Sequence, residues 1–164
     1  MAVTSGPEVV KLGGAWEERY AYTEDEAFAA GDLIRLTASG TIQMADAASA
    51  GAVHGIALEA AADAAADVAV LMFAPDTIVK IQCYNTVAPE DLTKGVAYTL
   101  DVTTKKHSIT STTTNGVAMV VDYAVSEQPW GDRTGVFDED ITDNNNSVLV
   151  RFLTATLDAH ETAA

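Results

Sequence analysis

Short apolar runs separated by turn residues make up most of this chain. The clearest runs lie at residues 33–36, 41–44, 53–58, 68–73, 77–83, 95–100, 117–123 and 147–153. Runs of this length that are rich in β-branched residues and bounded by Gly, Pro, Asn or Asp are typical of β-strands. In residues 77–83 the apolar side chains of Val79, Ile81 and Cys83 alternate with others, which indicates a strand with one buried face.

The turn residues between these runs predict hairpins, and little of the chain is compatible with a helix. Ser39-Gly40 separates two neighbouring runs, and the Thr- and Ser-rich stretch 101–116 predicts a hairpin that ends at Asn115-Gly116. The alanine-rich residues 59–67 fit one or two helical turns or a loop, because isolated helices that short are marginal in water. We therefore predict an all-β fold of about eight to ten strands, a mainly antiparallel barrel or sandwich with at most short helical turns.

The 164 residues fit one domain with flexible ends. Residues 1–14 contain Gly6-Pro7 and Gly13-Gly14 around a single apolar pair, and this predicts an extended N-terminal arm. Residues 15–158 form the predicted single β domain, which includes a long acidic loop at 126–146. Residues 159–164 are predicted to be a flexible tail.

The strongly negative charge of the chain disfavours some classes of binding partner and favours others. With 24 acidic and 9 basic residues the formal net charge is −15, which disfavours nucleic acid and anionic membranes. The same charge favours solubility and permits docking on a basic protein surface. No run approaches the ~20 apolar residues of a membrane helix, and the start of the chain lacks the pattern of a signal peptide. We therefore expect a soluble protein made in a cytoplasm.

The candidate residues for chemistry do not form a catalytic pattern. Cys83 is the single cysteine and lies in an apolar run, so we expect a buried free thiol. His54, His107 and His160 are about fifty residues apart, which is not a local metal-ligand spacing; His54, beside Gly55, is a candidate for a structural hydrogen bond. The sequence contains no nucleophile elbow and no phosphate-binding loop. We expect neither an enzyme nor a cofactor.

The acidic loop at 126–146 is the best candidate for binding a ligand. Asp138, Asp140 and Asp143 supply the oxygen atoms that calcium prefers, but their spacing does not match an EF-hand. A solvated loop without a metal is therefore the simpler expectation. Trp16 and Trp130 lie in polar surroundings, where an aromatic residue serves either as an interface anchor or as a cap on the core.

Several of the runs together resemble a known family. Residues 29–34 (AAGDLI), 53–58 (VHGIAL) and 68–71 (VAVL), followed by 95–100 (GVAYTL) and 148–153 (VLVRFL), are similar to the strands of tailed-phage capsid decoration (head cement) proteins. The resemblance extends over residues 27–153. The long acidic loop at 126–146 has no counterpart that we can place in that family.

The resemblance implies a structural protein of the bacteriophage virion. Proteins of this family are β-barrels or β-tulips that form trimers or dimers on the capsid exterior, where they clamp the major capsid protein and stabilise the shell. Their N-terminal arm often lies on the capsid, and they have no catalytic residues. By this resemblance the partners are the major capsid protein and other copies of the chain.

The expected contact residues differ between the two functions considered, which are capsid decoration and the binding of a carbohydrate or receptor. For a decoration protein, Val9, Val10, Leu12 and Trp16 are the expected arm contacts, and Trp130 is a further expected contact with the capsid or another subunit. The alternative is a carbohydrate- or receptor-binding β module of a phage fibre or head, in which Trp130 and the acidic loop hold the ligand.

Overall fold

A computed structural model of the chain describes residues 6–21, 29–37, 39–45, 53–61, 67–84, 86–103, 106–123 and 147–153. These residues form twelve strands and one short 3-10 helix, Pro89–Asp91. The first six strands are β1 (Glu8–Lys11), β2 (Trp16–Ala21), β3 (Leu33–Leu36), β4 (Ile42–Met44), β5 (Gly55–Ala57) and β6 (Asp67–Met72). The other six are β7 (Ile78–Gln82), β8 (Ala97–Tyr98), β9 (Leu100–Thr103), β10 (Lys106–Ile109), β11 (Ala118–Tyr123) and β12 (Ser147–Phe152). No helix in these ranges is long and apolar enough to cross a membrane.

The strands form two five-stranded sheets and one two-stranded sheet. The first sheet has the order β1-β7-β12-β11-β8, the second has the order β2-β6-β5-β3-β4, and β9 pairs with β10. Every pairing between these strands is antiparallel. The predicted all-β class is thereby confirmed, and the open sheets correspond to the sandwich-like alternative and not to a closed barrel.

One antiparallel ribbon passes through both large sheets. Its first side consists of β1 and β2, and its second side of β6 and β7. Val9 lies opposite Val79 and Trp16 lies opposite Met72, so seven positions separate the two pairs on each side of the ribbon. These two pairs therefore share one alignment on both sides of the corner where the chain changes sheets, although Lys11 lies opposite Ile78, one position out of that register. The same two segments remain partners in both sheets.

The corner of the ribbon depends on Gly13 and Thr77. Gly13 has a φ of 55°, and a Cβ atom there would overlap the backbone carbonyl of Asp76. The buried Thr77 hydroxyl donates a hydrogen bond to the Leu12 carbonyl oxygen at 2.7 Å and accepts one from the Ala74 N–H at 2.9 Å. The two sides of the ribbon therefore remain joined at the point where regular strand pairing stops.

Two apolar clusters cover opposite faces of the second sheet. In β6, Val68, Val70 and Met72 belong to one cluster, whereas Phe73, which follows the strand, belongs to the cluster shared with the first sheet. The rings of Phe73 and Phe152 stack across the two sheets, with centroids 5.3 Å apart. Burial on both faces explains why residues 68–73 are apolar without interruption, whereas a strand exposed on one face alternates.

The observed strands follow the apolar runs of the sequence except at the start of the chain. The hairpin β3–β4 turns at Ser39-Gly40 as predicted. A hairpin also forms in the Thr- and Ser-rich stretch, between β9 and β10, but Asn115-Gly116 lies after it and leads into β11. Pro89–Asp91 forms a single 3-10 turn, which agrees with the expectation of at most short helical turns. Residues 8–11, which the sequence assigns to an extended arm, instead form β1, an edge strand paired with β7. Residues 62–66 lie outside the described ranges.

We expect Gly13→Ala to destabilise the protein far more than Gly31→Ala. Both glycines have positive φ, 55° and 96°, so alanine is strained at either position by about 1 kcal/mol. At Gly31 an added Cβ meets nothing within 4 Å, whereas at Gly13 it overlaps backbone of the opposing side of the ribbon. We expect a loss of about 3 kcal/mol for Gly13→Ala in urea unfolding. Equal losses in the two variants would show that the corner does not need this close approach.

Candidate interaction surface

The outer side of the N-terminal ribbon is the most exposed apolar part of the described chain. Val10, Leu12 and Trp16 expose 48%, 59% and 37% of their surface. They lie on β1, at the corner and at the start of β2, so they follow one edge of the molecule. Leu58, with 42% exposed, is the other large exposed apolar residue in the described ranges and lies outside the ribbon.

Charged residues accompany these apolar side chains along β2. Glu17, Glu18 and Arg19 are all exposed. The two guanidinium nitrogens of Arg19 each lie 3.3 Å from a carboxylate oxygen of Glu59. These hydrogen bonds raise the pKa of Arg19 and lower the pKa of Glu59. Arg19 is therefore neutralised within the chain.

Hydrogen bonds orient the aromatic residues of β2. The indole N–H of Trp16 donates to a carboxylate oxygen of Glu18 at 3.2 Å, and the hydroxyl of Tyr20 donates to the same carboxylate. Partial burial, and then the hydrogen bond to Glu18, raises the pKa of Tyr20. Trp16, Glu18 and Tyr20 lie on one face of the strand, and an anchored aromatic is a frequent feature of binding surfaces.

The residues expected as arm contacts are not all equivalent in the structure. Val10, Leu12 and Trp16 are exposed, and their role as contacts stays a prediction. Val9 instead packs against the core between the sheets, because it lies opposite Val79 and shares its inward face. Trp130 and the calcium candidates Asp138, Asp140 and Asp143 lie outside the described residues.

His107 is a structural residue that completes a strand pairing. Leu33 and Ala45 extend the β3–β4 register, and the Ala45 N–H donates to the Leu33 carbonyl oxygen at 2.8 Å. The return bond of such a pair would join the Leu33 N–H to the Ala45 carbonyl. The imidazole of His107 takes its place: Nδ1 accepts from the Leu33 N–H at 3.4 Å, and Nε2 donates to the Ala45 carbonyl oxygen at 2.8 Å.

His54 binds the other end of β3. Its Nδ1 accepts a hydrogen bond from the Leu36 N–H at 3.0 Å, and its side chain is fully buried. Burial, with a smaller contribution from the positive charge of Arg35, lowers the pKa of His54 to about 4. The imidazole is therefore neutral at physiological pH, as its role as an acceptor requires.

Cys83 is the buried free thiol that the sequence predicts. It forms an isolated bridge with Ile109, which connects the end of β7 to β10. Burial, and then the negative charge of Asp91, raises the pKa of Cys83 to about 12. Because the thiolate is the nucleophilic form, Cys83 is unreactive at neutral pH.

The described ranges contain no group of three or more His, Cys, Asp or Glu residues placed to hold a metal ion. Comparisons of the chain with protein-family models, with curated proteins and with solved structures found no match.

The sequence identified the apolar residues of the ribbon as candidate contacts but did not identify Glu17 and Glu18. The feature that could have indicated them is the run from Trp16 to Tyr20, in which an aromatic residue at either end flanks successive charged residues.

We expect His54→Asn to reduce the loss of stability in weak acid. In the unfolded chain His54 titrates near 6.5, and in the folded protein at about 4. Between these two pKa values the unfolded state binds a proton that the folded state does not bind. Stability is therefore complete above pH 6.5, declines as the pH falls from 6.5 to about 4, and levels off below that. This contribution is on the order of 2 kcal/mol.

Asparagine tests this contribution because its Oδ1 can accept from the Leu36 N–H without titrating in this range. Urea unfolding of both proteins from pH 7.5 to pH 4 gives the comparison. The other titrating groups are common to both proteins and cancel in the difference. Parallel decline of the two curves would contradict a buried, neutral His54.

Proposed function

We propose that this chain is a structural protein of a bacteriophage virion: a capsid decoration (cement) subunit that binds the outer surface of the major capsid protein shell and stabilises it, without catalysis. The observation that carries the proposal is the exposed ribbon edge with Val10, Leu12 and Trp16. These side chains project from a two-sheet framework whose register is fixed on both sides of the corner.

The ribbon has the composition of a protein-binding surface. Stable interfaces combine an apolar centre with a polar rim, and a small number of large side chains supply most of the binding energy. Here Leu12 and Trp16 are the central candidates, and the exposed residues Glu8, Lys11 and Glu17 of β1 and β2 supply charge near them along the chain. A standard interface buries about 800 Å² on each partner, which requires further contacts beside the three apolar residues.

The net charge supports a basic complementary surface on the shell. A chain with a formal charge of −15 is attracted by basic patches, and this attraction accelerates association at low ionic strength. Homotrimer or dimer formation is part of the proposal, since closed symmetry covers edge strands such as β4 and β8. The carbohydrate-binding alternative depends on Trp130 and residues 126–146, which are outside the described ranges.

We expect the purified protein to co-sediment saturably with expanded, undecorated capsids, and we expect Leu12→Ser to weaken this binding about tenfold. The reason is that serine removes the most exposed apolar anchor of the ribbon, and anchors of this kind contribute about 1–2 kcal/mol or more. Binding isotherms from sedimentation at several salt concentrations provide the measurement.

Leu58→Ser is the matched control, because Leu58 has comparable exposure but does not belong to the ribbon. Both substitutions lie on the surface, so thermal unfolding is expected to change little in either variant. The proposal fails if the wild-type protein does not bind capsids at any of the salt concentrations tested. Equal weakening by the two variants would remove the ribbon from the contact.

A further inference from the structure

Among the described residues, the backbone of β2 presents a regular strand edge on which no other strand is paired. In the described part of the chain β2 pairs with β6 alone, and this pairing runs from Trp16 to Ala21 without a register shift. Five of the six residues are exposed, so the edge is open to solvent. β1 lies on the same side of the ribbon but has an irregularity between Val9 and Lys11, which makes it a poorer template.

The direction of the free hydrogen-bonding groups follows from the neighbouring strands. The Leu58 N–H donates to the Ala69 carbonyl, and the Phe73 N–H donates to the His54 carbonyl, so the odd-numbered residues of β6 bond to the β5 side. The even-numbered residues Val68, Val70 and Met72 therefore bond to β2, where they lie opposite Tyr20, Glu18 and Trp16.

The alternation leaves one set of backbone groups on the outer edge of β2. These are the N–H and C=O groups of Glu17, Arg19 and Ala21. They are spaced two residues apart, which is the spacing with which an added antiparallel strand forms its hydrogen bonds.

A second copy of the same strand gains less from this edge than a basic strand does. Two β2 strands related by a twofold axis pair their odd-numbered residues with each other, and the two central registers place the axis at Glu18 or at Arg19. The first register places Glu18 opposite its own copy and Glu17 opposite Arg19, and the second places Arg19 opposite its own copy. A like-charged pair directly opposite in a sheet is destabilising, and the Glu17–Arg19 pairs of the first register compete with the ion pair between Arg19 and Glu59.

A basic strand can both form hydrogen bonds with the outward backbone groups of β2 and place positive charges opposite its acidic side chains. Arg19 is already paired with Glu59, so Glu17 and Glu18 are the charges that an incoming strand meets. Lysine or arginine residues opposite them form favourable cross-strand pairs. Trp16 at the start of the edge offers an aromatic surface to a cation or an aliphatic side chain.

We propose that β2 binds an extended strand rich in lysine or arginine from the capsid partner, which adds to the second sheet next to β2. This inference rests on the proposed decoration function and specifies how part of that contact is made. Main-chain hydrogen bonds to Glu17, Arg19 and Ala21 provide affinity, and the acidic side chains select a basic segment.

Amide hydrogen exchange of the full chain, measured by NMR, tests the proposal. The probe is a capped octapeptide of alternating threonine and lysine, and the control peptide alternates threonine and glutamate. In the free protein the amides of Glu17, Arg19 and Ala21 should exchange fast, and those of Glu18 and Tyr20 slowly. The lysine peptide should slow the first set at least about tenfold, and the glutamate peptide should not.

Charge reversal adds a second readout. Glu17→Lys should weaken binding of the lysine peptide about three- to tenfold, because it replaces an attractive pair by a repulsive one. Glu90→Lys is the matched control: it makes the same change at an exposed residue of the 3-10 helix. If millimolar lysine peptide protects none of the three outward amides, the proposal is wrong. If they become protected without peptide as the protein concentration rises, the occupant is a second copy and the proposal is equally wrong.

Capsid binding separates this inference from the proposed function. Wild-type protein and Glu17→Lys are compared by sedimentation with shells, and exchange is measured in the shell complex. Equal binding with unprotected outward amides would retain the decoration function and overturn strand addition. Protection by the lysine peptide without any binding to shells would overturn the decoration function and leave β2 as an acceptor for another basic strand.

Discussion

The corner of the N-terminal ribbon is the constraint on which the arrangement of the two large sheets depends. β1 and β7 belong to one sheet and β2 and β6 to the other, yet the same two segments pair on both sides of the corner. Because the same two segments pair in both sheets, the corner limits how one sheet can lie relative to the other. Only a residue without a side chain permits the chain to turn there against the backbone of Asp76.

The second sheet also depends on two polar side chains in its interior. β3 is held at one end by His107 and at the other by His54, and each imidazole accepts a backbone N–H of that strand. A buried N–H without a partner costs about 1–3 kcal/mol, so these contacts stabilise β3 where its ladder is incomplete. Histidine suits both positions because a neutral ring combines an acceptor with a donor. His107 uses both functions to connect β10 to the β3–β4 hairpin.

The sequence could predict the strands but not the sheets. Alternation in residues 77–83 and unbroken apolar character in 68–73 follow directly from burial on one face and on two faces, and both strands appear where the pattern indicates. Sheet order depends on pairings between distant segments, which leave no local signal. β1 shows this most clearly: Val9-Val10 is too short a pattern to identify a strand, and its stability comes from pairing with β7, some seventy residues later.

Contacts between distant residues were also the part of the candidate surface and of the histidine sites that the sequence could not predict. Leu12 and Trp16 stand out as apolar residues in polar surroundings, whereas the inward position of Val9 requires knowledge of its partner Val79. The pairing of Arg19 with Glu59 joins residues forty positions apart. His54 was recognisable as a candidate structural residue from its neighbour Gly55, but nothing in the sequence indicates which backbone groups the two imidazoles bind.

An exposed strand edge ordinarily promotes aggregation, and β2 shows how this chain limits that risk without closing the edge. Charged residues at three successive positions place one like-charged pair at the centre of either central register with an identical strand. The bend at Gly13 and the irregular β1 prevent a longer flat edge. These features disfavour identical strands but leave the backbone of β2 accessible to a strand of opposite charge. In the proposed strand addition, the acidic residues that place like charges together in a pair of identical strands are the same residues that attract a basic strand.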